Sequence, residues 1–148
     1  MTTNDLTPQG ELSYYGLSLL SHLKESHPDR AADAAFIADR ADRAAGAYGQ
    51  AVKMGLSHIQ AAEAANEELF RGLHFSAYDT LVNILWDEFP GEIPEDDARA
   101  VALRALPLCA DVLAAYELTD DFADTPAYDL LYTELTGTIE ILLEDGRL

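Results

Sequence analysis

One stretch of the chain, GLHFSAYDTLVNILWDEF at residues 72–89, is apolar around most of its circumference when it is drawn as a helix. Its larger side chains leave only a narrow polar stripe, and Ser76 stands where an N-cap oxygen can accept a backbone N–H. A helix that is apolar on most sides is covered by several neighbours. The stretch therefore predicts a central helix near residues 76–89, in which Trp86 is one of the apolar side chains that neighbouring helices cover.

Five more helices are predicted from apolar residues at helical spacing and from the glycines and prolines between them. They are expected near residues 11–26, 29–54, 57–71, 95–116 and 126–144. Gly55 is the expected C-cap of the second of these, and Ser57 with Gln60 has the spacing of a capping box that opens the third. Thr125 is the expected N-cap of the last helix, which is expected to bury Leu130. No segment shows the sustained alternation of a strand. We therefore expect an all-α, single-domain irregular array of about six helices over residues 11–148, preceded by a flexible leader at residues 1–10.

Charge is distributed unevenly along the chain. The sequence has 9 basic and 27 acidic residues, a formal net charge of −18. Residues 87–148 carry 16 acidic and 3 basic side chains, a net of −13, against −5 for residues 1–86. Such a field repels nucleic acid and anionic lipid and attracts basic protein surfaces. We therefore expect a protein partner with a basic surface and no direct binding to nucleic acid or membrane.

The sequence also indicates a compartment. Residues 1–30 lack the basic and apolar regions of a secretory signal, and no run of 18 apolar residues occurs. The single cysteine, Cys109, has no partner for an intramolecular disulfide. These features predict a cytoplasmic protein.

Three blocks of the chain carry a family resemblance. They are ELSYYGLSLLSHLKESHPD at residues 11–29, GLHFSAYDTLVNILWDEF at 72–89 and LTDDFADTPAYDLLYTELTGTIEILLEDGRL at 118–148. The chain resembles an uncharacterised family of small, acidic, helical proteins from gut and oral Gram-negative anaerobes, designated only as a domain of unknown function. The resemblance implies a compact, all-helical cytoplasmic protein. Members are commonly encoded on integrative and conjugative elements, which implies mobile-element biology and identifies no activity or site residue.

The residues predict no enzyme, cofactor or metal site. The four histidines form neither H-x-x-x-H nor Glu-x-x-His pairs, and the acidic groups lack the oxygen pattern of a calcium loop. Cys109 lies between leucines and before an aspartate, which is typical of a buried, inert thiol rather than a nucleophile. We therefore expect no catalytic residue.

Two acidic groups and a pair of tyrosines are the candidate partner-binding residues. They are Glu92, Glu95, Asp96 and Asp97, then Asp120, Asp121 and Asp124, and finally Tyr128 and Tyr132. Helix-start charges and a solvated loop also explain the acids, and core packing with a wet hydroxyl also explains the tyrosines. The leading hypothesis is a non-enzymatic, acidic interaction module. Its narrower form is a DNA mimic, whose carboxylates occupy a phosphate site on another protein.

Two alternatives remain open from the sequence. The first is a homodimer with an assembly or regulatory role, formed through an exposed strip that includes Tyr14 and Leu17. The second is a small-ligand binder or enzyme with a polar pocket near Trp86. That pocket requires His74, Asp79 or Asp87 to converge there.

Overall fold

The computed structural model describes residues 13–148, and it confirms the all-α class. Among these residues there is no strand, and three short 3₁₀ turns accompany the α-helices. The helices are α1 Tyr14–Ser26, α2 Ala34–Lys53, α3 His58–Leu69, α4 Ala77–Glu88, α5 Ala98–Leu108, α6 Ala110–Ala114 and α7 Ala127–Glu144. The expected leader at residues 1–10 and the expected helix start at residues 11–12 lie outside the described residues.

The described helices group into two compact units, one that ends at Arg71 and one that begins at Gly72. The organisation of residues 11–148 as a single domain remains a prediction. None of the helices described between residues 13 and 148 has the length and apolar character needed to cross a membrane.

In the first unit, α1 packs against α2, and α2 packs against α3. Alanines supply most of the buried positions of α2 and α3, and this permits a close approach of the two backbones. These alanines are Ala44, Ala51, Ala61 and Ala65, none more than 4% exposed. The turn between α2 and α3 has the predicted capping residues. Gly55 adopts φ +86° after α2, and Ser57 forms a capping box with Gln60 at the start of α3.

The start of α2 differs from the prediction. A continuous helix was expected from Asp29, but the chain forms a 3₁₀ turn at Pro28–Arg30 and α2 begins at Ala34. The side chain of Asp33 accepts a hydrogen bond from the Phe36 N–H at 3.1 Å, so it caps a new helix start. A capping aspartate satisfies an N–H that a continuous helix would have bonded internally.

In the second unit, α4 is the central helix, as predicted, and it packs against α5 and α7. Ser76 caps it by accepting the Asp79 N–H at 2.9 Å. Half of its residues are buried: Tyr78, Thr80, Leu81, Val82, Ile84 and Leu85. Phe122 is 3% exposed, so it anchors its acidic loop in the core of this unit.

Three details of the second unit correct the sequence analysis. Trp86 is 37% exposed, because it lies in the last turn of α4, where the following loop contacts its indole N–H and leaves part of the ring uncovered. Leu130 is 64% exposed although it was expected in the core. The Thr125 hydroxyl donates to the Phe122 carbonyl at 2.7 Å, so α7 begins without the expected threonine cap.

Candidate partner-binding surface

The second unit presents an acidic surface that is almost uncompensated. Residues 72–148 include 17 acidic side chains, 3 arginines and no lysine, a net charge of −14. All of these carboxylates are exposed except those of Asp79 and Asp120, which are half-buried. Within the described part of the chain, one of them, Asp120, lies within 4 Å of a basic side chain. The surface therefore produces a strong negative field.

The structure does not bring the two predicted acidic groups together. Asp120 bonds to the segment just before α4, whereas Glu95 follows α4 and accepts the Trp86 indole N–H on its carbonyl oxygen at 3.2 Å. At about 1.5 Å of rise per residue, a 12-residue helix such as α4 is about 18 Å long. The two acidic groups therefore flank opposite ends of the central helix.

The side chain of Asp120 has a structural role in the fold. Its carboxylate accepts hydrogen bonds from the backbone N–H groups of Gly72 at 2.9 Å and His74 at 3.1 Å, and it faces His74 Nδ1 at 3.3 Å. Burial raises the pKa of Asp120, but the two backbone hydrogen bonds and the His74 charge together lower it below its ordinary value. The carboxylate thus fastens the 118–125 loop to the entry of α4.

The other two acids of this loop are more accessible. Asp121 accepts the Thr119 hydroxyl at 2.6 Å, and both Asp121 and Asp124 are exposed. Of the three predicted residues in the loop, Asp124 has the side chain that is best placed to meet a partner.

The first acidic group, the carboxylates of residues 92–97, is exposed to solvent. Glu92, Glu95, Asp96 and Asp97 are all exposed, and the last three form the 3₁₀ turn that leads into α5. Their negative charges interact favourably with the positive N-terminal end of α5, as the helix-start interpretation requires. However, the side chain of Asp97 forms no capping hydrogen bond. The carboxylates of this group therefore remain open to a partner.

The two tyrosines pack into an aromatic cluster. Tyr128 is half-buried, with its ring centroid 6.2 Å from that of Phe75 and 6.3 Å from that of Phe122. The Tyr132 hydroxyl donates to Glu88 at 3.0 Å, and burial together with that bond raises the pKa of Tyr132 to about 12. Both rings support the fold, and the Tyr132 hydroxyl bonds to exposed Glu88. The role of the two tyrosines in partner binding stays a prediction.

A cavity of about 370 Å³ lies beside Trp86. It is lined by Trp86, Pro90, Ile93 and Glu95. The small-ligand alternative requires His74, Asp79 or Asp87 to converge there, and none of these three residues lines the cavity.

The described residues provide neither a metal site nor a reactive thiol. Among residues 13–148, no three histidine, cysteine or acidic side chains are grouped so that they could hold a metal ion. Cys109 is fully buried, and this burial raises the pKa of its thiol. A buried thiol of raised pKa is a poor nucleophile at neutral pH.

The turn between α2 and α3 carries an apolar surface that was not predicted from the sequence. We call it the hairpin tip: Val52, Met54, Leu56 and Ile59, whose side chains are 42–74% exposed. A signal was present in the sequence, because residues 44–62 contain one formally charged side chain, Lys53. On α1, Tyr14 and Leu17 are 78% and 56% exposed, as the homodimer hypothesis expects.

Comparison with known proteins places the chain in a family. No functionally curated protein matches it. The crystal structure of protein PG0816 from Porphyromonas gingivalis, an oral anaerobe, is 45% identical, covers 93% of this chain and 94% of its own, and has a TM-score of 0.88. A domain of unknown function, DUF1896, matches residues 7–148. The predicted resemblance to an uncharacterised family is thereby confirmed, and the chain belongs to the DUF1896 family.

Proposed function

We propose that this protein is a non-enzymatic interaction module of the cytoplasm, and that its second unit binds a basic surface on another protein. The observation that carries the proposal is the set of exposed carboxylates of residues 72–148, of which only half-buried Asp120 has a basic side chain within 4 Å in the described chain. Like charges at this density repel one another. A basic partner relieves that repulsion, and the field accelerates its approach.

In its narrower form, the proposal makes the partner a DNA-handling protein whose phosphate site the carboxylates occupy. The two acidic groups lie near opposite ends of α4, a helix about 18 Å long, so they offer negative charge at two separate places. The resemblance to proteins encoded on conjugative elements motivates this form. A DNA mimic competes with DNA, so duplex DNA in excess is expected to release the partner.

The test is a pull-down with two matched charge variants. The full chain carries a tag and is incubated with host lysate treated with nuclease, and retained proteins are identified by mass spectrometry. The test variant neutralises the first acidic group by Glu92→Gln, Glu95→Gln, Asp96→Asn and Asp97→Asn. The control variant neutralises four exposed acids of the first unit by Glu25→Gln, Asp42→Asn, Glu63→Gln and Glu67→Gln.

Both variants lose four negative charges, so they separate local charge from total charge. The expected result is a basic protein in stoichiometric amount, lost with the test variant, kept with the control and weakened by salt. Equal retention by the two variants contradicts a specific surface. A lane without such a protein contradicts heteromeric binding altogether.

A second candidate function is self-association, and the hairpin tip favours it. Met54 and Ile59 are 69% and 74% exposed in a segment without acidic residues. Two copies of a chain of charge −18 meet at lowest electrostatic cost where each lacks carboxylates. Tyr14 and Leu17 offer the alternative strip on α1.

Sedimentation velocity tests the second candidate. A dimer at micromolar concentration is expected to dissociate in the variant Met54→Glu with Ile59→Glu. The control is Ile141→Glu, which places the same charge at an exposed isoleucine of the second unit. A monomeric wild-type chain contradicts this candidate.

A further inference from the structure

We infer that the cavity beside Trp86 receives an arginine side chain of the basic partner. This inference rests on the proposed function and adds the site at which the partner is anchored. The cavity volume, about 370 Å³, lies within the roughly 300–1,000 Å³ of ligand pockets in proteins. It therefore has room for one long side chain.

The indole of Trp86 is held in a defined orientation. Its Nε1–H donates to the Glu95 carbonyl oxygen at 3.2 Å, which ties the ring to the loop after α4. The side chain nevertheless stays 37% exposed, so an incoming group can reach it. A fixed, accessible aromatic ring binds at a low entropic cost, because little freedom remains to be lost.

The ring already interacts with a guanidinium group of its own chain. The Arg99 Cζ lies over the indole, 5.6 Å from the ring centroid. This distance is within the roughly 6 Å at which a cation is attracted to an aromatic face. The indole therefore already attracts one guanidinium group, although Arg99 is not among the residues that line the cavity.

Charge favours a second cation beside Arg99. Residues 86–99 contain six acidic side chains and one arginine, a net charge of −5. Glu95 lines the cavity, and Glu92, Asp96 and Asp97 are exposed near it in the chain. Arginine suits this lining because Pro90 and Ile93 can cover its methylene stem while Glu95 and the indole of Trp86 meet its planar head.

The test uses a fluorescein-labelled hexa-arginine peptide at low salt. Binding is followed by the polarisation of the label. It is also followed by the emission of Trp86, which is the sole tryptophan of the chain. The two readouts separate binding anywhere on the acidic surface from binding in the cavity.

Four variants complete the experiment. Trp86→Ala removes the ring, and we expect it to weaken peptide binding by about 2- to 30-fold, the range that cation–π energies imply. Trp86→Phe keeps an aromatic face and is expected to restore part of the affinity. Glu95→Gln is expected to weaken binding more than Glu140→Gln, a control that removes the same charge from an exposed site on α7. Circular dichroism verifies that each variant is folded.

The outcomes distinguish this inference from the proposed function. A saturating change in Trp86 emission that follows the polarisation curve supports the cavity. Binding by polarisation with unchanged Trp86 emission, and with full affinity in Trp86→Ala, overturns the cavity and leaves the acidic interaction surface in place. No binding of hexa-arginine at low salt overturns both.

Discussion

Replacement of Asp120 by asparagine is expected to destabilise the protein, although it removes one charge from a chain whose net charge is −18. The carboxylate accepts the N–H groups of Gly72 and His74, which lie 48 and 46 residues away in the sequence. It therefore joins the loop before α7 to the segment that leads into α4. Asparagine keeps one acceptor oxygen and loses the charge that strengthens both bonds.

The size of the effect follows from these bonds. A hydrogen bond to a charged group contributes about 1.5–3 kcal/mol when it is buried, and less when water can replace it. The Asp120 side chain is 35% exposed, and asparagine preserves part of the interaction. We therefore expect a loss of about 1–2 kcal/mol in the free energy of unfolding, or a fall of roughly 3–8 °C in Tm.

Urea denaturation followed by circular dichroism measures this loss. The control is Asp124→Asn, which removes the same charge from an exposed position in the same loop. It is expected to change stability by no more than about 0.5 kcal/mol. Equal stabilities for the two variants would refute the assignment of Asp120 as a structural anchor and return it to the list of free partner-binding acids.

The pH dependence gives a second readout of the same contact. The pKa of Asp120 is lower in the folded protein than its ordinary value, so the carboxylate contributes stability above the unfolded pKa, about 3.9. This contribution is lost as the pH falls through the folded pKa. The difference in stability between wild type and Asp120→Asn is therefore expected to shrink below about pH 4.

Three further predictions address packing. Gly46→Ala is expected to stabilise α2 by up to about 1 kcal/mol, because the added Cβ meets no atom within 4 Å. Gly55→Ala is expected to destabilise the turn, because φ is +86° at that position. Urea denaturation of the two variants measures both effects. Leu135→Ala is expected to lower the free energy of unfolding by about 2–5 kcal/mol, because Leu135 is 0% exposed. Leu130→Ala on the same helix is expected to change it by no more than about 0.5 kcal/mol, because Leu130 is 64% exposed. Cys109 is expected to react with Ellman's reagent only after denaturation, because it is fully buried with a raised thiol pKa; fast reaction of the native protein would contradict this.

Helix boundaries set by neighbours in the chain were predictable. Ser57 and Ser76 cap helices by accepting an N–H three residues later, and Gly55 adopts a positive φ at a helix end. These interactions involve at most a few consecutive residues, so the pattern of residue types predicts them. The break before α2 was missed although it is also local, because Asp29 and Asp33 are both plausible caps and the sequence does not rank them.

The candidate site was predictable in its charge and less so in its geometry. The excess of acids after Asp87 is a property of composition, and most of these residues are exposed because an unpaired carboxylate is costly to bury. The engagement of Asp120 with a segment 46–48 residues away has no sequence signal. The exposure of Trp86 also depends on how far the following loop covers it.

The sequence by itself determined the helical class, the central position of α4 within its unit and the negative sign of the surface charge. Periodicity, capping and charge act between neighbours or as sums, so residue order is sufficient for them. Tertiary structure alone decided that the two acidic groups lie at opposite ends of α4, that Asp120 serves the fold and that Trp86 borders a cavity. The position of Asp120 depends on packing between segments 46–48 residues apart, and the cavity depends on how residues 90–95 fold against the end of α4. A linear pattern specifies neither.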